Sequence, residues 1–132
     1  MGKRYTLAVD FDGVLHSYTT PWIDAATIPD PPVAGAINWL ILMSSQFDIV
    51  IHTTRGKTPE GQRAVRHWLH EHGWAGGMNA KVTAEKVPAL VYIDDRAWRF
   101  DGRWPTPHDI HMARPWNKPV GGAAKGGGDG TE

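Results

Sequence analysis

Residues 5–16 are YTLAVDFDGVLH, and this stretch decides the fold of the 132-residue chain. Its first part is almost continuously apolar, which predicts a strand from Tyr5 to Asp10 at the centre of a parallel sheet covered on both faces. Asp10 and Asp12 come at the carboxyl end of this strand, and Gly13 permits a sharp turn after them. The stretch therefore predicts a buried strand that delivers two carboxylates to one edge of a sheet.

Three further strands are predicted along the chain, all of them short and apolar: Phe47–Thr53, Met78–Val82 and Ala89–Ile93. Two helices are predicted between the first three strands. The first, over Val33–Ser45, is apolar nearly all round and is expected to be largely buried. The second begins at Pro59, with Thr58 as its N-cap, and ends near Gly73.

The remaining segments are expected to be irregular or to form short elements. Four prolines make Leu15–Pro32 a loop or small flap rather than a helix. An Asp-Gly pair within Phe100–Trp104 favours a hairpin, and Thr106 is expected to cap a short helix that begins at Pro107. Residues Asn117–Glu132 are rich in glycine and are expected to form a disordered tail.

The alternation of strands and helices decides the predicted fold class. It favours an open, mostly parallel sheet with helices on both faces. The sequence thus predicts one α/β domain over residues 1–116, with a Rossmann-like three-layer α/β/α architecture. In such folds, ligands bind beyond the carboxyl ends of the strands.

Composition narrows the classes of function. The formal net charge is zero, so no overall field attracts nucleic acid or an anionic membrane, although a local basic patch is compatible with it. The chain has no cysteine, which excludes disulfides and thiolate chemistry and agrees with a reducing cytoplasm. Neither a signal peptide nor a membrane span is expected at the N-terminus. We therefore expect a cytoplasmic protein that has no membrane partner.

The polar clusters of the sequence all come at the ends of predicted strands. Asp10 and Asp12 end the first strand, Thr53 ends the second, and Asp94 and Asp95 follow the last. Carboxylates crowded at one edge repel one another unless a cation lies between them, and hard oxygen ligands suit Mg²⁺. We expect the four aspartates to be the metal ligands. With the metal present, Asp10 can attack phosphorus to form an aspartyl-phosphate, while Asp12 protonates the leaving oxygen and later deprotonates water.

Other residues near the strand ends suit the binding of a phosphoryl group. The hydroxyl of Thr53 can bond a phosphoryl oxygen, and Arg55 can hold a phosphate or carboxylate of the substrate. A lysine is also needed to balance the charge on the transferring group. Lys86 is the expected catalytic lysine, with Lys81 as the alternative.

Four segments resemble the motifs of the haloacid-dehalogenase-like (HAD) hydrolase superfamily and occur in the order of that family: Asp10-Phe11-Asp12-Gly13-Val14, Ile49-Val50-Ile51-His52-Thr53, Lys86 and Ile93-Asp94-Asp95. The resemblance covers roughly residues 5–96. It implies a Mg²⁺-dependent phosphatase with Asp10 as nucleophile and Asp12 as acid and base. It also implies metal ligation by the Asp10 carboxylate, the Asp12 backbone carbonyl and Asp94, with Asp95 in support.

The same resemblance bears on the substrate. The segments between the motifs leave room only for a flap, so the chain resembles a capless member, and such members commonly act on large substrates or use a partner or a second subunit to close the site. The expected substrate is a phosphorylated small molecule or a nucleic-acid end. Gly13, Thr54 and Arg55 are the expected substrate-binding residues, and Tyr18 and Trp22 on the flap are candidates for stacking on a ring.

Two other functions stay open at this stage. Processing of nucleic-acid ends, which the run Thr53-Thr54-Arg55 also resembles, predicts a basic stripe near the site, for which the candidates are Arg55, Lys57, Arg63, Arg66 and Arg99. A non-catalytic binding protein could reuse the same fold. Such a protein would be expected to lose Asp10 or the last pair of acids, and this chain retains them.

Overall fold

The computed structural model describes residues 4–118, in which the first predicted strand, β1, occupies Thr6–Asp10. The other described strands are β2 (Asp48–His52), β3 (Lys81–Thr83) and β4 (Val91–Ile93). Neighbouring strands are parallel throughout, and their order across the sheet is β3-β2-β1-β4. The predicted α/β fold with a parallel sheet is therefore confirmed, and β1 is an inner strand.

The register of the strands fixes where the polar strand ends meet. Asp10 pairs with His52, and His52 in turn pairs with Thr83. On the other side of β1, Val9 pairs with Ile93, which puts Asp10 level with Asp94. The carboxyl ends of β1, β2, β3 and β4 thus finish at one edge of the sheet.

The described residues contain three α-helices: α1 (Ala36–Ser44), α2 (Pro59–Glu71) and α3 (Pro107–Met112). The Thr58 side chain accepts a hydrogen bond from the backbone N–H of Gly61, which confirms the predicted N-cap of α2. Thr106 caps α3 as predicted, in a reciprocal capping box with Asp109. Each of these helices is too short or too polar to cross a lipid bilayer.

One hydrophobic core lies between the sheet and the two longer helices. It contains Leu7 and Val9, alternate residues of β1 whose side chains point to the same face. The helices contribute five buried residues to this core: Ala36, Leu40, Val65, Trp68 and Leu69. Helices α1 and α2 therefore cover the same face of the sheet.

Helix α1 is less buried than its sequence predicts. Only Ala36 and Leu40 are buried, while Ile41 and Leu42 are about half exposed. The prediction of a largely buried helix is therefore wrong. It was based on apolar residues that occur on all sides of the helix. Such a pattern does not single out the face that packs on the sheet.

The opposite face of the sheet carries the side chains of Ala8, Val50 and Tyr92, which are paired across the strands. The Tyr92 hydroxyl accepts a hydrogen bond from the Val87 N–H and donates one to the Val87 carbonyl, so the connection between β3 and β4 lies against this face. That connection, residues 84–90, contains no helix. Within residues 4–118, the sheet has helices on one face and an irregular segment on the other.

Two predicted strand elements differ from the structure. Residues 101–103 form a bend and residues 100–104 have no strand pairing, so the predicted hairpin over Phe100–Trp104 is wrong. An Asp-Gly turn signal produces a hairpin only where the flanking residues can pair as strands. The third strand starts at Lys81 rather than Met78, because Ala75–Asn79 form a 3₁₀ turn.

The flap and the C-terminal segment contact each other. Residues 15–32 are irregular, as predicted. Asn117 and Lys118, the first residues of the predicted tail, donate hydrogen bonds to the carbonyls of Ser17 and Tyr18. Residues 119–132 of that tail lie outside the described residues. The chain that follows α3 therefore returns to the start of the flap.

The cap of α2 gives a direct test of the local structure. Thr58→Ala removes the acceptor for the Gly61 N–H and is expected to lower the free energy of unfolding by about 1 kcal/mol. Thr58→Ser keeps the hydroxyl and should retain most of the stability. Urea unfolding of the two variants measures the difference, and equal stabilities would show that the cap contributes nothing.

Candidate functional site

Three carboxylates come together at the carboxyl edge of the sheet. Asp10 ends β1, and Asp94 and Asp95 follow β4, its neighbour in the sheet. One carboxylate oxygen from each of the three lies within 4.8 Å of the others. We call this group the aspartate cluster, and it brings together acids that lie more than eighty residues apart in the sequence.

Asp95 is the member of the cluster whose surroundings are least favourable to an isolated negative charge. Its Oδ1 atom is buried and has no hydrogen-bond partner in the described residues. Burial raises the pKa of the Asp95 carboxyl above its usual value, and the charge on Asp94 adds to the increase, while a hydrogen bond with Asp10 opposes it. A buried carboxylate oxygen without a donor is a ligand that a cation would satisfy.

The aspartate cluster fits a hard divalent cation. Its donors are carboxylate oxygens from three side chains, which is the ligand type that Mg²⁺ prefers, and Mg²⁺ commonly binds through a few carboxylates and completes its shell with water and phosphate oxygens. Asp10, Asp94 and Asp95 would hold the ion.

Gly13 makes room for this cluster. Its φ angle is +90°, in the left-handed region, and a Cβ atom added there would lie 2.3 Å from Asp95 Oδ2. Glycine is thus required both by the turn and by the close approach of Asp95. The structure places Gly13 against the cluster as part of its support, whereas the sequence predicted a substrate contact.

Asp12 lies apart from the aspartate cluster and belongs to a buried ion pair. Arg55 Nε donates to both carboxylate oxygens of Asp12, at 2.9 and 3.1 Å, and His16 Nδ1 lies 2.8 Å from Asp12 Oδ1. The Asp12 and Arg55 side chains are both almost completely buried. The Asp12 carboxylate thus faces Arg55 and His16, while the metal ligation that the resemblance implies for Asp12 is by its backbone carbonyl and stays a prediction.

Arg55 fastens the flap to the sheet. Its Nη1 atom donates to three flap carbonyls, which are those of Asp24, Ala25 and Thr27. Its guanidinium also lies over the Trp22 ring, 4.6 Å from the centroid. Arg55 is 1% exposed. In this conformation the guanidinium of Arg55, the predicted substrate-binding arginine, is therefore bonded to protein groups. The same guanidinium packs on one face of the Trp22 ring.

His16 is a buried residue of this network that sequence reasoning missed. Its Nδ1 faces Asp12, and its Nε2 accepts a hydrogen bond from the backbone N–H of Asp30 at 3.1 Å. This pairing connects the turn after β1 to the far end of the flap. A histidine in an irregular, proline-rich segment gives no pattern from which such burial could be predicted.

The threonines that follow β2 lie beside the end of β1. Thr53 is buried, and its Oγ1 accepts a hydrogen bond from the Arg55 N–H at 3.2 Å, which caps the 3₁₀ turn Thr54–Lys57. Thr54 is half-buried. Because β1 and β2 are paired through Asp10 and His52, the Thr53 hydroxyl is held near the edge where Asp10 ends.

The two candidate lysines lie at different levels of the sheet. Lys81 begins β3 and pairs with Val50, so it is set back from the carboxyl edge. Lys86 follows the carboxyl end of β3, and its Nζ lies 5.7 Å from the centre of the Tyr92 ring in β4. Lys86 therefore follows the carboxyl end of β3 in the chain whereas Lys81 precedes it, and Lys86 stays the expected catalytic lysine.

Comparison with known proteins adds no family assignment. The chain matches no protein-family model, and neither the curated proteins nor the solved structures give a match. The resemblance to the HAD hydrolases stays a prediction based on the four sequence motifs.

The buried ion pair predicts a large effect on stability. Arg55→Met leaves the Asp12 carboxylate buried without its cation and is expected to lower the free energy of unfolding by about 3 to 5 kcal/mol. The double variant Asp12→Asn/Arg55→Met should recover part of this loss. Asp48→Asn, in the exposed pair with Arg4, is the control and should cost about 1 kcal/mol or less. Equal costs in urea unfolding for Arg55→Met and Asp48→Asn would contradict the buried pairing.

The aspartate cluster predicts stabilisation by metal. Mg²⁺ at about 100 times its Kd should raise the free energy of unfolding by about 2.7 kcal/mol, because it binds only the folded arrangement of the carboxylates. Asp94→Asn and Asp95→Asn should lose this response, while Glu85→Gln, an exposed acid beyond β3, should keep it. Thermal unfolding with and without Mg²⁺ measures the effect. A response that survives in both cluster variants would place the ion elsewhere.

Proposed function

We propose that the protein is a Mg²⁺-dependent phosphomonoester hydrolase that uses Asp10 as its nucleophile. The observation that carries the proposal is the aspartate cluster, in which Asp10, Asp94 and Asp95 converge within 4.8 Å at the carboxyl edge of a parallel sheet. Ligands of open α/β sheets bind at this edge. The unpartnered Oδ1 of Asp95 supports a cation there rather than a solvated acidic surface.

The surroundings of Asp10 support its proposed role as the carrier of the phosphoryl group. Its backbone ends β1, and its Oδ1 accepts a hydrogen bond from the Phe11 N–H at 2.8 Å, which orients the carboxylate. The bound ion would shield the carboxylate from the charge of the phosphate. Attack of an Asp10 oxygen on phosphorus forms an aspartyl-phosphate as the bond to the leaving oxygen breaks. Water then attacks the phosphorus, and inorganic phosphate and the free Asp10 carboxylate are formed.

The acid and base of the proposed reaction is Asp12, as the resemblance implies. In the described conformation its oxygens are held by Arg55 and His16. Its action on the leaving oxygen therefore requires a turn of the carboxylate away from Arg55 when the substrate binds. Thr53 and Lys86 complete the proposed site by bonding and neutralising the phosphoryl oxygens.

The proposal includes a HAD-like fold for the chain. The parallel order β3-β2-β1-β4, with the proposed nucleophile at the end of an inner strand, supports it. The irregular connection over residues 84–90 occupies the face where a three-layer fold would carry a further helix. The flap of residues 15–32 leaves no cap domain between the first two motifs, which agrees with a capless member.

Hydrolysis of p-nitrophenyl phosphate in the presence of Mg²⁺ tests this function. Asp10→Asn should lower kcat by at least about a thousandfold, because an amide does not replace the carboxylate nucleophile. Lys86→Met should lower kcat/KM by about a hundredfold or more, since it removes a cation from the transferring group, whereas Lys81→Met should have little effect. Wild-type protein that shows no Mg²⁺-dependent hydrolysis of any phosphoester would favour a non-catalytic binding protein.

Asp12→Asn serves as a matched variant for the acid role. An alkyl phosphate needs a proton on its leaving oxygen, whereas p-nitrophenolate leaves without one. The variant should therefore lose much more activity on glycerol phosphate than on p-nitrophenyl phosphate. Equal losses on the two substrates would remove Asp12 as the general acid.

A further inference from the structure

Residues 96–104, RAWRFDGRW, form an exposed run in which arginines alternate with aromatic residues. We call it the arginine–aromatic segment. It follows directly after the aspartate cluster, and the Arg96 N–H donates to Asp94 Oδ1 at 2.7 Å. The segment holds three arginines against a single acid, Asp101, in a chain whose net charge is zero. Within these nine residues the arginines outnumber the acids, and the acids Asp94 and Asp95 of the aspartate cluster directly precede Arg96.

The rings of this segment are open to solvent and lie close together. Trp98, Phe100 and Trp104 are 36%, 52% and 78% exposed. The ring centres of Phe100 and Trp104 lie 4.7 Å apart, and the guanidinium of Arg103 lies 6.0 Å from the centre of the Trp98 ring. Large rings that stay exposed and are interleaved with guanidinium groups offer flat surfaces for stacking, with positive charge between them.

Acids lie near the arginines at both ends of the segment: the charge of Arg96 opposes the rise in the pKa of the Asp95 carboxyl, and Asp109 approaches Arg103. The closest contact is between Arg103 Nη1 and Asp109 Oδ2, which are 3.9 Å apart. The same Asp109 oxygen accepts the Thr106 N–H at 2.9 Å in the cap of α3. The Asp101 carboxylate accepts a hydrogen bond from the Arg103 N–H at 3.1 Å.

Several of the residues expected from the sequence to bind a ring or a polynucleotide contact other protein groups. Tyr18 is buried, and Trp22 lies under Arg55. Arg55 itself is buried, and Arg66 Nε donates to the Ala80 carbonyl. Of the other residues of the predicted basic stripe, Lys57 and Arg63 are exposed, and Arg99 belongs to the arginine–aromatic segment. The stacking rings and the positive charge are thus combined in residues 96–104.

A further exposed ring lies beside the turn that follows β1. Trp116 Nε1 donates to the Gly13 carbonyl at 2.7 Å, while the residue remains 65% exposed. The hydrogen bond fixes the indole beside the turn that packs on Asp95. Exposed aromatic residues therefore occur in the chain both before and after α3, and the one after α3 lies beside the turn that contacts the aspartate cluster.

We propose that the arginine–aromatic segment binds single-stranded nucleic acid and presents its terminal phosphate to the aspartate cluster. Every base has a face that can stack on Trp98, Phe100 or Trp104, and each arginine can pair with a backbone phosphate, which is the combination that unpaired strands require. Paired bases in a duplex do not expose these faces. The delivery of the phosphate rests on the proposed function, whereas the binding of the strand does not.

Binding is measured with an unphosphorylated, fluorescein-labelled oligothymidine of about 12 nucleotides, a length within the range that such surfaces cover. Fluorescence anisotropy at low salt should show saturable binding to the wild-type chain. Trp104→Ala should weaken binding by about fivefold or more, because a stacking ring is lost. Arg103→Gln should also weaken it and lower the dependence of binding on salt.

Two control variants distinguish binding at the arginine–aromatic segment from unspecific binding through positive charge or exposed apolar side chains. Arg4→Gln removes the same charge from an exposed position before β1, and Leu42→Ala removes an exposed apolar side chain from α1. Both should bind the oligonucleotide as the wild type does. Absence of wild-type binding, equal losses in Arg4→Gln and Arg103→Gln, or unchanged binding by folded Trp104→Ala would each overturn the proposal. A wild-type dimer that becomes a monomer in Trp104→Ala would do so as well, since the rings would then cover a second copy of the chain.

Parallel assays distinguish the failure of this inference from the failure of the proposed function. Hydrolysis of p-nitrophenyl phosphate without oligonucleotide binding would leave the phosphatase in place and remove the strand-binding surface. Oligonucleotide binding without hydrolysis of any phosphoester would keep the strand-binding surface and remove the phosphatase function. With both present, a 3′- or 5′-phosphorylated oligonucleotide should have a lower KM than p-nitrophenyl phosphate, and Trp104→Ala should raise that KM without a similar effect on the aryl substrate.

Discussion

The mutual repulsion of Asp10, Asp94 and Asp95 is the constraint on which the functional account depends. The pairing of β1 with β4 leaves these carboxylates little freedom to separate, because Val9 and Ile93 are fixed opposite each other one residue earlier. Burial of Asp95 makes the repulsion more costly, since water screens it less. A divalent cation would offset the repulsion between the carboxylates and would attract a phosphate to the end of β1. The sheet register, the metal and the nucleophile are thus parts of one arrangement.

A second arrangement, centred on Asp12 two residues past the proposed nucleophile, joins the sheet to the flap. Asp12 faces away from the cluster and is joined to Arg55, which holds the flap through its backbone carbonyls. His16 extends the same network to Asp30. Neighbouring acids of one motif therefore have different surroundings, with Asp10 open to a cation and Asp12 paired inside the protein. Substrate binding that draws Asp12 from Arg55 would also loosen the flap, so the acid and the flap are expected to move together.

The features that could be predicted from the sequence are those that depend on residues close together in the chain. The apolar run before Asp10, the Thr58 cap before Pro59 and the acids after Ile93 each follow from neighbouring residues, and the parallel sheet brings the strand ends together. The pairing of Asp12 with Arg55 joins residues 43 positions apart, and no local pattern encodes it. The burial of α1 was overestimated, because an apolar residue such as Leu42 gives the same signal whether it faces the sheet or solvent. The exposure of the aromatic rings in residues 98–104 could not be predicted from the sequence, because aromatic residues also pack in cores.

Mass spectrometry of the protein during turnover is the measurement that tests the central claim most directly. The reaction with p-nitrophenyl phosphate and Mg²⁺ is stopped with acid, which preserves an acyl phosphate, and the peptides are then mapped. The account predicts one added phosphoryl group on the peptide that contains Asp10, present only when Mg²⁺ is supplied. Turnover with the phosphoryl group on another residue, or with no phosphorylated protein at all, would contradict it.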